Sequence, residues 1–416
     1  MSRIVISGVG LVTPLGPDRE SSWARLCAGI CAPRTLDFLG GGSSPARTLS
    51  ETAHNRVGTW IGAPACTNPS DESQTGNDPV VSLALQAAAE CLTDARSPQD
   101  HFRRDRIGCV VGTSKGGLRS FSRLHSHALA DDEQVRSFSQ IFPHAAGRAV
   151  AMKYDLRGPV LSPVVACATG LVCLIRAAEL LRDDACDLVI AGSADASLLP
   201  IVLGSFRRLG VLARDVGDPA HACRPFDRDR SGFVVGEGGA IFTLEREETA
   251  LARGAPIWGE WVAGRLASDP HGMMNLEPTG ESLAWLIREV LRQGRTSSRE
   301  LDYLNLHGTA TRQNDLCETR AIRAALGTDA YRVACSGQKG SIGHLLGAAG
   351  SVEMAIALLS LRDQIVPPTM NLEHPDAECD LDYTPGKAVP RTLQTALKLS
   401  LGFGGHLAAG LIRRVD

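Results

Sequence analysis

VVACATGLVCLIRAAELL, residues 164–181, combines the sequence patterns of a strand, a tight turn and a helix. Two β-branched residues lead into Cys167, and three small residues follow it. Apolar residues then recur at the spacing of a buried helix face, at Leu171, Leu174, Ile175, Ala178 and Leu181. This order predicts that residue 167 lies where a strand turns into a helix.

The thiol at this junction is a candidate nucleophile. Unpaired N–H groups and the positive end of the helix dipole favour a thiolate over a thiol, and the thiolate is the reactive form. Cys167 is therefore the candidate nucleophile of the chain. The alternative interpretation is that Cys167 is one more small buried hydrophobic residue.

Composition limits the class of protein. With 416 residues, 44% of them hydrophobic, and 43 glycines, the chain is typical of a globular protein with two or three domains, or with two similar halves. A net charge of -3 argues against a nucleic-acid partner, because phosphates need a basic surface. No apolar run is long enough to span a membrane, and Met1 leads directly into a strand-like run without a signal peptide. We therefore expect a cytoplasmic protein.

The cysteines are scattered along the chain. Cys27 and Cys31 form the closest pair, and neither a second pair nor a histidine stands at the spacing of a zinc site. We therefore expect no metal site. The cysteines other than Cys167 are interpreted as reduced core thiols.

The first part of the chain alternates predicted strands and helices. Strands are expected at 4–9, 106–114 and 187–195, helices at 21–30, 80–92 and 142–154, and a long surface loop at 39–77. Residues 224–245 are expected to form a loop that leads into two strands, with Gly236, Gly238 and Gly239 at the tight point. No G-x-G-x-x-G or Walker pattern occurs, so we interpret these as turn glycines.

From residue 257 the pattern begins again. Strands are expected at 257–268 and 301–310, helices at 282–292 and 315–325, and residues 331–363 repeat the strand, turn and helix of the Cys167 stretch. Asp315 and Glu318 fit a capping box. Two halves of similar order, 1–254 with the nucleophile and 255–416 with two histidines, predict a pseudo-duplicated α/β/α/β/α layered fold whose reactive groups meet at strand ends.

Those two histidines each follow a predicted strand. His307 precedes Thr309 and Thr311, whose hydroxyls can point the same way, and Lys339 stands five residues before His344. A lone histidine is more often a core or surface residue than a catalyst, so it is these surroundings that make the two histidines candidates. With Cys167 they predict one site made from three turns.

Several segments stand in the order and at the spacing of one enzyme family: ACATG, RPFDRDRSGFVVGEGG, LNLHGTATRQND, KGSIGHLLGAAG, VPPTMNLEHPD and LSLGFGGH. The chain resembles the β-ketoacyl-acyl-carrier-protein synthases, condensing enzymes of the thiolase superfamily, and most nearly their type II elongating branch. The resemblance covers essentially the whole chain outside 39–77. It implies a thiolase-like, five-layered α/β/α/β/α fold made of two pseudo-duplicated halves.

The resemblance also implies a role for each matching residue. Cys167 would accept the acyl group, and the backbone N–H groups of Cys167 and Phe403 would stabilise the tetrahedral adduct. His307 and His344 would promote decarboxylation of a malonyl thioester by donating to its oxygen. The other implied residues are Lys339 in an ion pair with Glu353, Phe403 as a gate, Thr309 and Thr311 on the phosphopantetheine arm, and Phe206 and Gly404 in substrate binding.

The implied reaction is a decarboxylative Claisen condensation by an acyltransferase, which extends a fatty acyl or polyketide-like chain by two carbons. No cofactor is implied, because the phosphopantetheine arm belongs to the acyl carrier protein. The implied partners are that carrier and acyl and malonyl thioesters. A non-catalytic chain-length partner subunit is one alternative, which Cys167 and both histidines oppose. A degradative thiolase is the other, although thiolases commonly use a second cysteine.

Two positions depart from the family pattern. Gln338 stands where the family often has Thr or Ser, and His406 stands where it often has Asn. Both differences suggest a loop tuned for a different acyl chain. The chain length and the pathway that it serves stay open at this point.

Two surfaces are expected to contact other proteins. Residues 39–77 lack the basic stretch that many family members use to dock the acidic carrier, so Arg207 and Arg208 are the candidates, with a solvated basic turn as the alternative. The apolar strand 187–195 is expected to pair across a two-fold axis, because an unpaired apolar edge invites aggregation. The sequence therefore predicts a homodimer, or a heterodimer with a related subunit.

Overall fold

A computed structural model describes residues 3–38, 60–67, 76–125 and 131–415. Its strands are β1 (Ile4–Val12), β2 (Arg34–Leu36), β3 (Trp60–Gly62), β4 (Ile107–Gly112), β5 (Val160–Leu161), β6 (Leu188–Asp195), β7 (Gly238–Arg246), β8 (Gly259–Ser268), β9 (Tyr303–Asn305), β10 (Ala334–Ser336), β11 (Ile365–Val366), β12 (Val389–Pro390), β13 (Thr395–Gly402) and β14 (His406–Arg413). Its α-helices are α1 (Arg19–Cys27), α2 (Pro79–Asp94), α3 (Leu118–His125), α4 (Asp131–Gln140), α5 (Ala145–Lys153), α6 (Thr169–Arg182), α7 (Pro200–Arg208), α8 (Glu247–Ala252), α9 (Glu281–Gln293), α10 (Arg312–Leu326), α11 (Lys339–Ile342) and α12 (Ala349–Asp363). Within the described ranges, no helix combines the length and apolarity needed to cross a membrane.

The central sheet shows the predicted duplication. Its strand order is β10-β9-β13-β14-β8-β1-β7-β6-β4-β5. In each half, the three strands nearest the edge are parallel and the two nearest the middle are antiparallel. The halves join where Ile4–Ile6 pairs with Gly259–Trp261. The placement of the domain boundary at 254/255 stays a prediction.

Helices cover both faces of each half-sheet. α6 and α12 are apolar on nearly all sides and lie between the two half-sheets, where they form the largest part of the core. α2 and α5 pack on the outer face of the first half. α9 and α10 pack on the outer face of the second half. These are the predicted α/β/α/β/α layers.

Two glycines allow the first turns of α6 and α12 to pack closely against each other. A Cβ atom on Gly170 would lie 2.4 Å from the backbone nitrogen of Ser351, and one on Gly350 would lie 2.6 Å from that of Leu171. Any side chain at either position would force the helices apart. This close approach brings the turns that precede α6 and α12 together at one place.

Three details differ from the expectations. Residues 164–165 are not in a strand, since the strand before the nucleophile is β5, which ends at residue 161. Residues 224–245 contribute one strand rather than two, because 233–235 make only isolated bridges. The expected loop 39–77 contains β3, which pairs with β2, while 39–59 and 68–75 lie outside the described residues.

The expected dimer edge is also placed differently. β6 pairs with β4 on one side and with β7 on the other, so residues 187–195 do not form a sheet edge. The edge strand of this half is β5, and its Val160 is 43% exposed. The prediction that residues 187–195 pair across a two-fold axis as a sheet edge is therefore wrong. Dimerisation itself stays a prediction.

Candidate active site

Cys167 lies in a single 3-10 turn, Ala166–Ala168, directly before α6. Ala166 has a φ of 46°, a left-handed conformation that a residue other than glycine keeps only when its surroundings hold it. The Thr169 hydroxyl accepts a hydrogen bond from the Val165 N–H and donates one to the Ala166 carbonyl, both at 2.8 Å. The turn thereby presents the thiol at the N-terminus of the central helix.

The second half repeats this turn without a thiol. Leu346 has a φ of 49° and begins the 3-10 turn Leu346–Ala348, directly before α12. Gly347 takes the place that Cys167 has in the first half, and its N–H donates to Asp195 at 3.2 Å. The half that carries the nucleophile is therefore distinguished by a side chain and not by its backbone.

His344 donates a hydrogen towards the nucleophile. Its Nε2 lies 3.2 Å from the Sγ of Cys167. The Leu346 N–H donates to Nδ1 at 3.3 Å, which assigns Nδ1 as the acceptor of the neutral ring and places the proton on Nε2. The edge of the Phe233 ring, whose centroid is 5.0 Å from that of the imidazole, fixes its orientation. His344 is thus a hydrogen-bond donor in this site.

His307 stands beside His344 on the loop after β9. The ring centroids of the two histidines are 5.3 Å apart, with an angle of 83° between the planes. Glu318 accepts hydrogen bonds from the N–H groups of His307 and Gly308, at 2.5 and 2.7 Å. The Cys167 sulfur and one ring nitrogen of each histidine all lie within 4.8 Å of one another. The structure therefore brings the three predicted turns to one site.

Asp315 and Glu318 do not form the predicted capping box. The N-cap of α10 is Thr311, and both acids lie inside the helix and are buried. Asp315 accepts from the Phe226 N–H at 2.8 Å and lies 3.3 Å from the Arg230 guanidinium. Burial raises the pKa of Asp315 to about 6 and that of Glu318 to about 7. Both acids hold loops from other elements, a role that local spacing does not reveal.

A buried ion pair lies next to the histidines. Lys339 Nζ is 2.6 Å from Glu353 Oε1 and also donates to the His307 carbonyl. Burial holds the pKa values of His307 and His344 well below their ordinary range, and the positive charge of Lys339 lowers both further. Both imidazoles are therefore neutral at pH 7. A neutral donor suits the stabilisation of a developing oxyanion.

The thiol of Cys167 is protonated at rest. Burial raises its pKa to about 11, while the charges of Lys115 and Lys339 and a hydrogen bond from the Phe403 N–H act in the opposite direction. Burial thus outweighs the charges and the hydrogen bond that lower this pKa, and the prediction that the helix N-terminus favours a thiolate stays a prediction. The thiolate must form under the donors aimed at sulfur, His344 Nε2–H and the Phe403 N–H.

Lys115 is a charged neighbour that the sequence analysis missed. Its Nζ donates to Ser114 Oγ at 2.7 Å and lies 5.7 Å from the ring centre of Phe206. We expect Lys115→Met to raise the pKa of Cys167 and to slow its alkylation by iodoacetamide about two- to fivefold. Peptide mass spectrometry at Cys167 measures this, with the exposed Lys387→Met as control. Equal rates in all three proteins would show that the charge does not act on the sulfur.

The site opens into a cavity of about 920 Å³, a size typical of small-molecule sites. Cys167, His307 and His344 line it, as do Thr309 and Thr311. The hydroxyl oxygens of the two threonines lie 2.8 Å apart. The two hydroxyls are thus close together on the wall of the same cavity as the reactive groups.

Phe403 lines the cavity, while two other expected substrate contacts do not. Phe206 packs against Phe403 with ring centroids 6.4 Å apart, and Gly404 is exposed. Gly404 and Gly405 have φ values of 89° and 77°, which favour glycine. The Gly404 N–H donates to the Met273 carbonyl at 2.7 Å. The loop therefore has one large, half-buried ring next to two glycines, in the lining of the cavity that contains the nucleophile.

We expect Phe403→Ala to slow acyl loading about tenfold or to broaden the range of acyl chains accepted, because Phe403 lines the same cavity as Cys167 and packs against Phe206. The backbone N–H that donates to the sulfur remains in the variant, so the effect reports the ring alone. Loading rates for a series of acyl thioesters measure it. Unchanged rates and an unchanged acyl preference would contradict the gate.

The basic candidates for carrier docking differ in their surroundings. The Arg207 guanidinium is half-buried and stacks 4.0 Å from the ring centre of Trp60, whereas Arg208 is exposed. Two further exposed arginines, Arg214 and Arg312, line the cavity itself. The exposed Asp215 and Asp229 line the cavity as well, so its exposed lining carries charges of both signs.

Neither unusual family position lines the cavity in the described part of the chain. Gln338 is fully buried, donates to Ser336 Oγ at 2.8 Å and accepts from Asn305 Nδ2 at 2.9 Å. It supports the parallel pair β9 and β10. His406 is exposed at the start of β14. No observation connects either residue to the acyl chain.

Two groups of potential metal donors occur in the described residues. One is the set Cys167, His307 and His344, whose sulfur already receives the His344 N–H. The other is Asp227, Asp229 and His374, where the Asp227 carboxylate accepts N–H groups from the other two residues at 2.9 and 2.7 Å. We assign a metal to neither group.

Comparison with known proteins agrees with this geometry. A family model described as "Beta-ketoacyl synthase, N-terminal domain" matches residues 1–250, and one described as "Beta-ketoacyl synthase, C-terminal domain" matches residues 260–373. The chain belongs to the β-ketoacyl synthase family. The resemblance stated from the sequence motifs is thus confirmed.

Relatives of this β-ketoacyl synthase come from two kinds of pathway. It is 36% identical over 424 residues to the tetracenomycin polyketide synthase ketoacyl synthase alpha subunit of Streptomyces glaucescens, covering 99% of this chain and 97% of the relative. It is 32% identical over 418 residues to 3-oxoacyl-(acyl-carrier-protein) synthase 2 of Coxiella burnetii, covering 99% of each. It is therefore an acyltransferase-type condensing enzyme of fatty acid or polyketide synthesis.

A solved structure matches this β-ketoacyl synthase over its whole length. It is AntDE:AntF, described as a type II polyketide synthase acyl carrier protein in complex with its ketosynthase, with a TM-score of 0.87, 28% identity and coverage of 100% of both chains. This match confirms the thiolase-like fold. In that neighbour, a carrier protein is the partner of the ketosynthase.

Proposed function

We propose that this β-ketoacyl synthase catalyses the decarboxylative Claisen condensation of malonyl-acyl carrier protein with an acyl group held on Cys167. One observation carries the proposal: the Cys167 sulfur and a nitrogen of both His307 and His344 lie within 4.8 Å of one another, at the wall of one cavity. A nucleophile and two neutral donors are what the two half-reactions need.

The first half-reaction loads the acyl group. The Cys167 sulfur attacks the thioester carbonyl of the acyl carrier, and the carrier's thiol leaves with the proton of the cysteine. Negative charge forms on the carbonyl oxygen. The backbone N–H groups of Cys167 and Phe403 are proposed to donate hydrogen bonds to that oxygen. Gly402 permits this arrangement, because a Cβ atom there would lie 3.3 Å from the Cys167 nitrogen.

The second half-reaction forms the carbon–carbon bond. The bond between the malonyl α-carbon and its carboxylate breaks, carbon dioxide leaves, and the electron pair moves onto the thioester oxygen. His307 and His344 donate to that oxygen. The α-carbon then attacks the acyl-Cys167 carbonyl, the carbon–sulfur bond breaks, and the released thiolate takes up one proton from water. The product is a β-ketoacyl group, two carbons longer, on the carrier.

The chain-length partner and the degradative thiolase are less well supported. A chain-length partner has no use for a nucleophile, yet Cys167 is held in a strained turn with the His344 N–H aimed at its sulfur. A thiolase commonly employs a second cysteine, whereas Cys167 is the only cysteine among the described residues that line the cavity. Both observations support the catalytic condensing enzyme.

Binding of the acyl carrier is part of the proposal. The exposed Arg214 and Arg312 at the cavity suit the phosphate of the phosphopantetheine arm and the acidic carrier, and Thr309 and Thr311 suit the arm inside. The arm arrives with the carrier, so no cofactor of the chain's own is proposed. A dimeric state and a cytoplasmic location stay predictions.

Mass spectrometry of the intact protein tests the function. Incubation with a panel of acyl carrier thioesters should add the mass of one acyl group, and addition of malonyl carrier should release carbon dioxide and return the protein to its original mass. The acyl chains that load would also separate fatty acid from polyketide substrates. No added mass with any thioester, together with no carbon dioxide, would rule out the condensing activity.

A further inference from the structure

Lys398 is a second fully buried lysine beside the site, and no step proposed so far uses it. It lies on β13 with 0% of its surface exposed. Its Nζ donates to the Leu306 carbonyl at 2.9 Å and lies 2.6 Å from Glu353 Oε2. The other oxygen of the same carboxylate pairs with Lys339 at 2.6 Å. One glutamate is therefore shared by two buried lysines.

The two lysines hold consecutive peptide groups of the His307 loop. Lys398 binds the oxygen of the Leu306–His307 peptide, and Lys339 binds the oxygen of the His307–Gly308 peptide. The N–H groups of these same two peptides both donate to Glu318. Each peptide dipole thus has a positive group at its oxygen and a negative group at its N–H, which fixes the backbone that carries His307.

The shared carboxylate contacts both ammonium groups directly, and Glu318 is the second negative group that acts on Lys398. Glu353 contributes one negative charge against two ammonium groups, and all three side chains are almost fully buried. Charges are costly to bury even when they are paired, so their presence beside an active site needs a reason. The groups that face Lys398 are Glu353 on α12, Lys339 on α11 and Glu318 on α10. The charges of Lys339 and Lys398 both act on the two histidines.

We propose that Lys398 is a positioning residue for decarboxylation, which holds the His307 loop and supplies positive charge that favours the anionic transition state. This inference rests on the proposed function. Negative charge moves onto the thioester oxygen during decarboxylation, next to His307, whereas acyl loading takes place on the Cys167 sulfur. Lys398 therefore acts on the second half-reaction much more than on the first.

Comparison of Lys398→Met with wild type tests this role, with the exposed Lys387→Met as the matched control. We expect the variant to release carbon dioxide from malonyl carrier about tenfold more slowly or worse, while acyl loading changes by less than about twofold. A variant that folds and decarboxylates at the wild-type rate overturns the proposal. So does an equal loss of loading and decarboxylation, which would indicate a structural role.

A histidine titration tests Lys398 without any catalysis. In protein labelled with 15N-histidine, the His307 signal, assigned by its absence in His307→Ala, should titrate at higher pH in Lys398→Met, because a nearby positive charge is gone. An unchanged His307 titration contradicts the electrostatic part of the proposal. If wild type releases no carbon dioxide, the proposed function fails, while this titration still reports on Lys398.

The pH profile of wild type covers the case in which Lys398→Met does not fold. Burial lowers the pKa of Lys398 to about 8, so its charge is present below that pH and is lost above it. Decarboxylation, but not loading, should therefore fall as the pH rises through about 8. Glu318, whose pKa is about 7, loses its charge as the pH falls through that value, so its protonation does not account for a fall in rate above pH 8. A rate that stays constant to about pH 9 overturns the proposal.

Discussion

Cys167→Ala is expected to abolish acyl-enzyme formation while malonyl decarboxylation stays measurable. Loading needs the sulfur as nucleophile, and Cys167 is the only cysteine among the described residues that line the cavity. Decarboxylation needs donors for the thioester oxygen, and the substitution leaves His307, His344 and the Lys339–Glu353 pair in place. The two half-reactions should thus separate in one variant.

The measurements are the mass of the intact protein after exposure to an acyl carrier and the release of carbon dioxide from malonyl carrier. Cys173→Ala is the matched control, because Cys173 lies in the same helix and is fully buried, but does not line the cavity. The control should load normally. An acyl group on Cys167→Ala would show that another cysteine is the nucleophile.

His307→Ala and His344→Ala are each expected to slow decarboxylation by about a hundredfold or more, the usual cost of losing one oxyanion donor. Both imidazoles are buried and neutral, so each carries one N–H that can be donated to the thioester oxygen. Their loss cannot be replaced by water as long as the substrate fills the cavity. Carbon dioxide release from malonyl carrier is the measurement.

The two histidine variants should differ in acyl loading. His344 Nε2 lies 3.2 Å from the Cys167 sulfur, whereas His307 reaches the sulfur less directly, so loading should fall more in His344→Ala. The exposed His101→Ala serves as control and should match wild type in both reactions. Normal decarboxylation in both active-site variants would mean that these histidines are not the donors.

Much of the site could be predicted because its reactive residues stand in short local motifs. Cys167, His307 and His344 each stand in a turn of a strand–turn–helix motif, and strand ends in a layered fold meet at one edge. The predicted pairing partner of Lys339 lies 2.6 Å from it. The predicted strand directly before Cys167 is wrong, because the β-branched Val164 and Val165 lie outside any strand and β5 ends at residue 161.

The positioning residues were missed because their partners lie far away in the chain. Glu318 looks like part of a capping box, yet it binds the backbone of residues ten and eleven positions earlier. Lys398 looks like a strand lysine that faces solvent, yet it is fully buried and binds residue 306. The period of a helix or strand indicates which of its faces is apolar. It does not indicate which polar group of another element packs against that face.

The layered, duplicated architecture and the family could be predicted from the sequence and are confirmed, and the reactive residues could be proposed from it. All three depend on periodicity and on short motifs, which can be recognised without knowledge of the contacts. The protonation of the site, by contrast, depends on contacts between segments that are remote in the chain. Burial raises the pKa of Cys167 to about 11, and the extent of that burial cannot be read from the sequence. The sharing of Glu353 by two lysines also depends on the tertiary structure. The dehydration and the distances that govern buried charges arise only when remote segments pack together.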